Sequence, residues 1–246
     1  MPGEQYVFLD FDNTLSDMNE VGEQYVRELA TLLSSGYGKE ADDWIVALRP
    51  ELSASIGRYV DKFAGDPLAG YNAWIEEERA RVATAIFGRM TVPMPAGESM
   101  AEIAKRIQFD ALTSCYATLP GGEEALRELF GMGKRIHMAS SQESDYLLAA
   151  LIGAGLESFI ETKFGPDLVD CAKEGPEFYQ RIFAACEIRP SQAIVVDDQA
   201  MCLDWAQEAG ARVVQAALLP DSPEPEFPIV LRSLADLPRL IRMGLT

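Results

Sequence analysis

Histidine is almost missing from this chain. His137 stands alone among 246 residues, and a histidine base beside a serine or cysteine nucleophile is excluded unless that one ring supplies it. Its place in the apolar run Arg135-Ile136-His137-Met138-Ala139 points instead to a packed side chain. Cysteine is sparse as well. Cys115, Cys171, Cys186 and Cys202 are widely spaced and form no C-x-x-C pair, so disulfide scaffolds and zinc sites lack their spacing and reduced, packed thiols are expected. Cations are outnumbered: 21 Lys and Arg face 39 Asp and Glu, for a net charge of -18. A binder of phosphate backbones needs clustered cations, so no nucleic-acid partner is expected. No apolar run approaches the length of a membrane helix, and the N-terminus enters charged sequence without a signal-peptide core. The expectation is a cytoplasmic protein with no membrane partner. What is abundant is apolar side chain, 48% of residues, enough for one large domain or two smaller ones.

That apolar content changes texture along the chain. Tyr6-Val7-Phe8-Leu9 reads as a buried strand. From about Ser16 to Ala111 apolar residues recur at three and four spacing, as in Tyr25-Leu29-Leu32-Leu33 and Trp74-Ile75-Val82-Ile86, which is helical throughout. After Pro120-Gly121-Gly122 strands and helices alternate. A helix over Ala125 to Phe130 leads to the strand Arg135–Ala139, a helix runs through Tyr146 to Gly153, and another covers Glu177 to Cys186. The strand Ala193–Val196, a helix to Gly210, the strand Arg212–Val214, the proline-rich loop Pro220 to Pro228 and the short strand Ile229–Leu231 follow. Alternation of this kind predicts an α/β fold with a doubly wound parallel sheet. Nearly a hundred helical residues after the first strand exceed any ordinary crossover. They are expected to form a separate helical cap domain, 16–111, inserted into a core made of 1–15 and 112–246.

Polar signals follow the strands of that core. Asp10-Phe11-Asp12-Asn13-Thr14 comes after the first, Ser140-Ser141 after the second and Asp197-Asp198 after Ile194 to Val196, while Lys173 lies in Ala172-Lys173-Glu174-Gly175-Pro176. Each has a structural explanation alone, since Asp, Asn and Ser cap helices and turn chains. Two imitations fail. A calcium loop from Asp10 has Leu15 in place of its turn glycine and Val21 in place of its bidentate glutamate, and the phosphate-loop fragment Gly131-Met132-Gly133-Lys134 has Glu128 for its first glycine and Arg135 for its hydroxyl. The joint order, acidic pair, hydroxyl, lysine, acidic pair, resembles the four motifs of the haloacid dehalogenase superfamily, and the position of the helical insertion resembles its C1-cap members, which include phosphoglycolate phosphatases and β-phosphoglucomutases.

The resemblance implies a Rossmann-like core and a Mg²⁺-dependent phosphatase acting on a small phosphorylated metabolite through an aspartyl-phosphate. Asp10 would be the nucleophile and Asp12 the general acid and base. Thr14, Ser140, Ser141 and Lys173 would bind the phosphoryl group. The metal would be held by Asp10, by Asp12 through its carbonyl and by Asp198, with Asp197 acting through water. The residue types suit the chemistry independently, because a phosphate dianion approaches several carboxylates only if cations are present. Some positions depart from the family pattern: Asn13 stands where many relatives have Gly, Ser141 where Asn is frequent, and Cys202 where many carry another acid.

Three alternatives stand beside this reading. A phosphomutase shares the aspartates, but the resemblance implies a histidine in the first cap helix where the chain has Gly22. A 2-haloacid dehalogenase needs neither Asp12 nor Asp198, and a catalytically silent binding protein would not need the set at all. The cap cations Arg49, Arg58, Lys62, Arg79, Arg81 and Arg89 could meet an acidic substrate, although solvated surface charge is the ordinary reading of each. The oligomeric state stays open between monomer and homodimer.

Overall fold

The computed structural model describes residues 5–95 and 97–244. Its order is β1 (Tyr6–Leu9), α1 (Met18–Tyr37), α2 (Ala41–Phe63), α3 (Tyr71–Met90), α4 (Met100–Leu112), α5 (Gly122–Gly131), β2 (Arg135–Ala139), α6 (Ser144–Gly153), β3 (Thr162–Phe164), α7 (Pro166–Val169), α8 (Pro176–Ala185), β4 (Ala193–Asp197), α9 (Ala200–Glu208), β5 (Arg212–Ala216), β6 (Val230–Leu231) and α10 (Leu237–Arg242). The strands form one sheet in the order β3-β2-β1-β4-β5-β6, every neighbouring pair parallel. This is the doubly wound α/β sheet that the alternation predicts. The three-residue edge strand β3, Thr-Lys-Phe, has no counterpart in the sequence reading, because so short a segment with a lysine in its middle shows no apolar periodicity.

Both faces of the sheet are covered, which is why its strands read as continuous apolar runs. Val7, Leu9, Ile136, Met138, Ile194, Val196 and Val214 pack against Leu126, Leu129, Leu147 and Leu151 on one side. Tyr6, Phe8, Val195 and Phe164 pack against Phe178, Tyr179, Ile182 and Leu203 on the other. His137 belongs to the second face. It is 1% exposed, stacked on Phe8 at 5.0 Å and near Phe164 at 5.9 Å, as the apolar run around it suggests.

Helices α1–α4 build an apolar centre of their own from Leu29, Leu33, Trp44, Leu48, Ile86, Phe87, Ile103 and Ile107. Local signals set their ends. Asp17 caps α1 by accepting from the amides of Asn19 and Glu20, and Ser99 and Glu102 make a reciprocal capping box at α4. The helices also touch the core: Ala172 packs with Phe63 and Tyr71, its amide donates to the Pro67 carbonyl at 2.9 Å, and the Asn72 amide donates to Asp170 at 3.0 Å. None of the described cysteines is in a disulfide, and no described helix is long and apolar enough to cross a membrane.

Candidate active site

The register of the sheet brings distant carboxylates together. Leu9 lies opposite both Met138 and Val196, so the next residues, Asp10, Ala139 and Asp197, emerge side by side at the C-terminal edge. Strand order reverses at β1, and such edges are where open α/β sheets hold ligands. The Asp10 amide donates to the Val196 carbonyl at 2.9 Å, which fixes the first aspartate to the neighbouring strand.

Lys173 links the three strand ends. Its Nζ donates to Asp10 Oδ1 at 2.7 Å, to Asp197 Oδ2 at 2.7 Å and to the Ala139 carbonyl at 2.9 Å. All three of an ammonium's protons are thereby used. Burial alone would pull the lysine's pKa down, yet the charges of Asp10 and Asp197 outweigh it and hold Lys173 well above its ordinary value. Asp197 also accepts from the Gln199 amide at 2.9 Å, so its carboxylate holds both the lysine and the turn into α9.

The aspartates respond to the same burial. Asp10 is pushed well above the usual carboxylate range, by desolvation first, against the opposing pull of Lys173. Asp12 is raised by desolvation, with the hydrogen bond from Gln142 acting against it. Asp198 is pushed up to about 6 by burial and then by the charge of Asp197, with a hydrogen bond from Asn13 opposing. Four carboxylates therefore share one ammonium in a poorly hydrated site, an imbalance that favours protonation or a further cation.

The donor set fits a divalent ion. Asp10, Asp197 and Asp198 each offer a carboxylate oxygen, all within 4.8 Å of one another, and Asp198 Oδ1 is buried without a hydrogen-bond partner. An orphaned buried acceptor among oxygen ligands suits a hard cation such as Mg²⁺. The carboxylate of Asp12 is not in this cluster; its Oδ2 accepts from Gln142 Nε2 at 2.8 Å.

The remaining sequence candidates divide. Thr14 is fully buried and its Oγ1 has no partner, a hydroxyl left over to donate. Ser140 is 1% exposed, and its Oγ accepts from the Gln142 amide at 3.2 Å. Ser141 is exposed. Asn13 has φ 57°, the left-handed conformation that Gly and Asn tolerate, which accounts for an Asn where relatives carry Gly. Cys202 is buried, and desolvation raises its thiol, so it adds no charge to an already anionic site. Gln142 and the contact of Asn13 with Asp198 escape the sequence reading. Both lie within motif loops, but a side-chain amide gives no periodic or charge signal.

A family model for hydrolases, described as haloacid dehalogenase-like hydrolase, matches residues 5–210. The chain belongs to the haloacid dehalogenase-like hydrolase family. Within it, the chain is 30% identical over 118 residues to the validoxylamine A 7'-phosphate phosphatase of Streptomyces hygroscopicus subsp. limoneus, a match covering 47% of this chain and 55% of that protein. The chain thus spans about half the length of the curated relative. Among solved structures, the L-2-haloacid dehalogenase of Xanthobacter autotrophicus with chloropropionic acid covalently bound superposes with a TM-score of 0.61 at 19% identity, covering 98% of this chain and 99% of that one. A HAD phosphatase from Thermococcus onnurineus gives 0.62 at 15% identity, with coverages of 96% and 97%. At these identities the likeness is one of fold, shared by the dehalogenase and the phosphatase alike.

Proposed function

We propose that this hydrolase is a Mg²⁺-dependent phosphatase that cleaves a small phosphorylated metabolite in the cytoplasm, with residues 16–111 serving as a cap over a core of 1–15 and 112–246. The observation that carries the reading is the set of four carboxylates, Asp10, Asp12, Asp197 and Asp198, at one sheet edge, with Lys173 bonded to Asp10 and Asp197 and no second lysine or arginine paired with the four among the described residues. A dehalogenase needs a nucleophilic aspartate and a cation; it has no use for the surplus carboxylates. A phosphatase uses that surplus to hold a metal ion. The curated relative, named for a phosphate ester, supports the same side.

Asp10 would attack phosphorus and form an aspartyl-phosphate, after which water cleaves the acyl-phosphate bond and regenerates the carboxylate. Asp12 would give its proton to the departing alcohol and take one back from that water. The buried hydroxyls of Thr14 and Ser140 would donate to the phosphoryl oxygens as charge builds on them, and Lys173, its protons held by Asp10, Asp197 and the Ala139 carbonyl, would supply fixed positive charge nearby. Mg²⁺ held by Asp10, Asp198 and the Asp12 carbonyl, with Asp197 beside it, would neutralise the phosphoryl oxygens. Helices α1–α4 would exclude water and select the alcohol.

The test is release of p-nitrophenol from p-nitrophenyl phosphate, with Mg²⁺ and with EDTA, beside Asp10→Asn. Turnover that needs the metal and falls by more than about 10³ in the variant is expected, as for loss of a nucleophile. Chloride release from 2-chloropropionate without metal, and no phosphatase activity, would overturn the reading in favour of a dehalogenase.

A further inference from the structure

Gln142 has no role in the chemistry above, yet it is the residue that holds Asp12. Its Nε2 donates to Asp12 Oδ2 at 2.8 Å across 130 positions of sequence. Its own backbone is fixed on both sides. The Gln142 amide donates to Ser140 Oγ at 3.2 Å, and behind it the chain lies directly on Gly165, where a Cβ would fall 2.2 Å from the Gln142 carbonyl oxygen and 2.9 Å from Glu143 Cα. Nothing larger than glycine permits that approach.

The following residue links the loop to the helical layer, and two positions on Asp145 of α6 adds a second link, to Lys105 of α4 at 2.5 Å. Glu143 pairs with Arg79 of α3, and both side chains are only 10% exposed. Arg79 also bonds Glu76 of its own helix at 2.6 Å, and its Nε is buried without a partner. A guanidinium this buried is held by its carboxylates, so moving α3 away from the core would separate a buried ion pair.

We propose that Gln142 is a positioning residue that aims Asp12 at the leaving group, and that the Arg79–Glu143 pair sets Gln142 in place only while α3 is docked. This rests on the phosphatase reading, in which Asp12 donates the proton to the alcohol. Docking of the helical layer and orientation of the acid are then one event, and a substrate held by an undocked layer meets a misaimed carboxyl group.

The test compares two substrates that differ in their need for that proton. p-Nitrophenolate leaves readily without it, whereas the alkoxide of benzyl phosphate does not. The parameter is kcat/KM with Mg²⁺, which reports phosphoryl transfer and departure of the alcohol and leaves out the later hydrolysis common to both. Gln142→Met keeps the length and removes the donor. It is expected to lose about tenfold to hundredfold more on benzyl phosphate than on p-nitrophenyl phosphate, a fraction of what general acid catalysis supplies. Arg79→Ala should show the same selective loss, and Arg79→Lys should restore part of it. Equal losses on both substrates, or none, would overturn the proposal and leave Gln142 a packing residue. If Gln142→Met does not fold, the Arg79 pair of variants decides alone. Absence of metal-dependent turnover by the wild type on both esters would instead be failure of the phosphatase reading, and the proposal would fall with it.

Discussion

The edge of the sheet and the four-helix layer treat charge in opposite ways. In α1–α4 the cations are matched: Arg49 with Glu23 at 2.8 Å, Arg58 with Glu78 at 2.6 Å, Arg81 with Glu78 at 3.1 Å and Arg89 with Glu51 at 2.6 Å. Of the cap cations singled out in the sequence, only Lys62 has no such pair among the described residues, and it is exposed; Arg79 reaches the core at Glu143, as Lys105 of α4 does at Asp145. At the sheet edge, by contrast, Lys173 is bonded to the buried Asp10 and Asp197, with the half-buried Asp12 and Asp198 beside them. Exposed pairs such as Arg49–Glu23 contribute little, and the buried Glu78 is balanced by both Arg58 and Arg81, so no charge in this layer asks for a further partner. An unmatched buried set is costly for folding, and it makes sense where a metal ion and a phosphoryl group are to be bound. Charge balance thus separates the four-helix layer from the candidate site at the sheet edge.

Lys173→Met is the harshest way to break that contrast. It leaves Asp10 and Asp197 buried without their counter-ion, so urea unfolding should show a loss of about 3–5 kcal/mol, the range for removing one partner of a buried pair. Any p-nitrophenyl phosphate turnover should fall by about 10²–10³ as the fixed charge on the phosphoryl oxygens disappears. A variant as stable as the wild type would mean that the aspartates are already protonated and the imbalance is not real.

A smaller effect is expected at His137, which is buried like the site but carries no charge. Desolvation lowers its pKa from 6.5 to about 4. Between those values the unfolded chain binds a proton that the folded chain refuses, so this residue makes stability fall as pH drops through the window, by about 3 kcal/mol in all. The raised carboxylates of Asp10 and Asp198 pull the opposite way, because the folded chain takes up their protons first. The difference between His137→Leu and the wild type isolates the histidine: urea unfolding at several pH values from 7 to 4 should show the variant gaining on the wild type as acid is added. Parallel curves would show that the ring is hydrated.

Arg49→Ala is the mildest variant. Its pair with Glu23 is half exposed on both sides, so the unfolding midpoint and turnover should both stay within experimental scatter. A clear loss of turnover with stability intact would place Arg49 at the substrate and would weaken the division drawn above.

Much of this could be read from the chain alone. The sheet strands are buried on both faces, so Tyr6–Leu9, Arg135–Ala139 and Ala193–Val196 show as plain apolar runs, and the alternation with helices after Pro120 makes the parallel sheet explicit. Asp10, Asp12, Ser140, Lys173 and Asp197-Asp198 stand out because acids, hydroxyls and a lysine break off at strand ends or in the loops between. Periodicity could not reveal β3, whose three residues contain a lysine, nor could it rank Ser140 above Ser141, since burial of one and exposure of the other depend on the turn between β2 and α6.

Residue types and their order along the chain determined the fold class and marked the candidate site residues, because both depend on local apolar patterning and on which side chains follow which strands. Tertiary structure alone decided the partners. Parallel pairing of β1 with β2 and β4 sets Asp10 abreast of Asp197, Lys173 arrives from a loop 163 residues away in sequence, and Gln142 reaches Asp12 from a loop that packs directly on Gly165. Such contacts join residues with no local relation, and only the packed sheet and the docked α3 bring them within bonding distance.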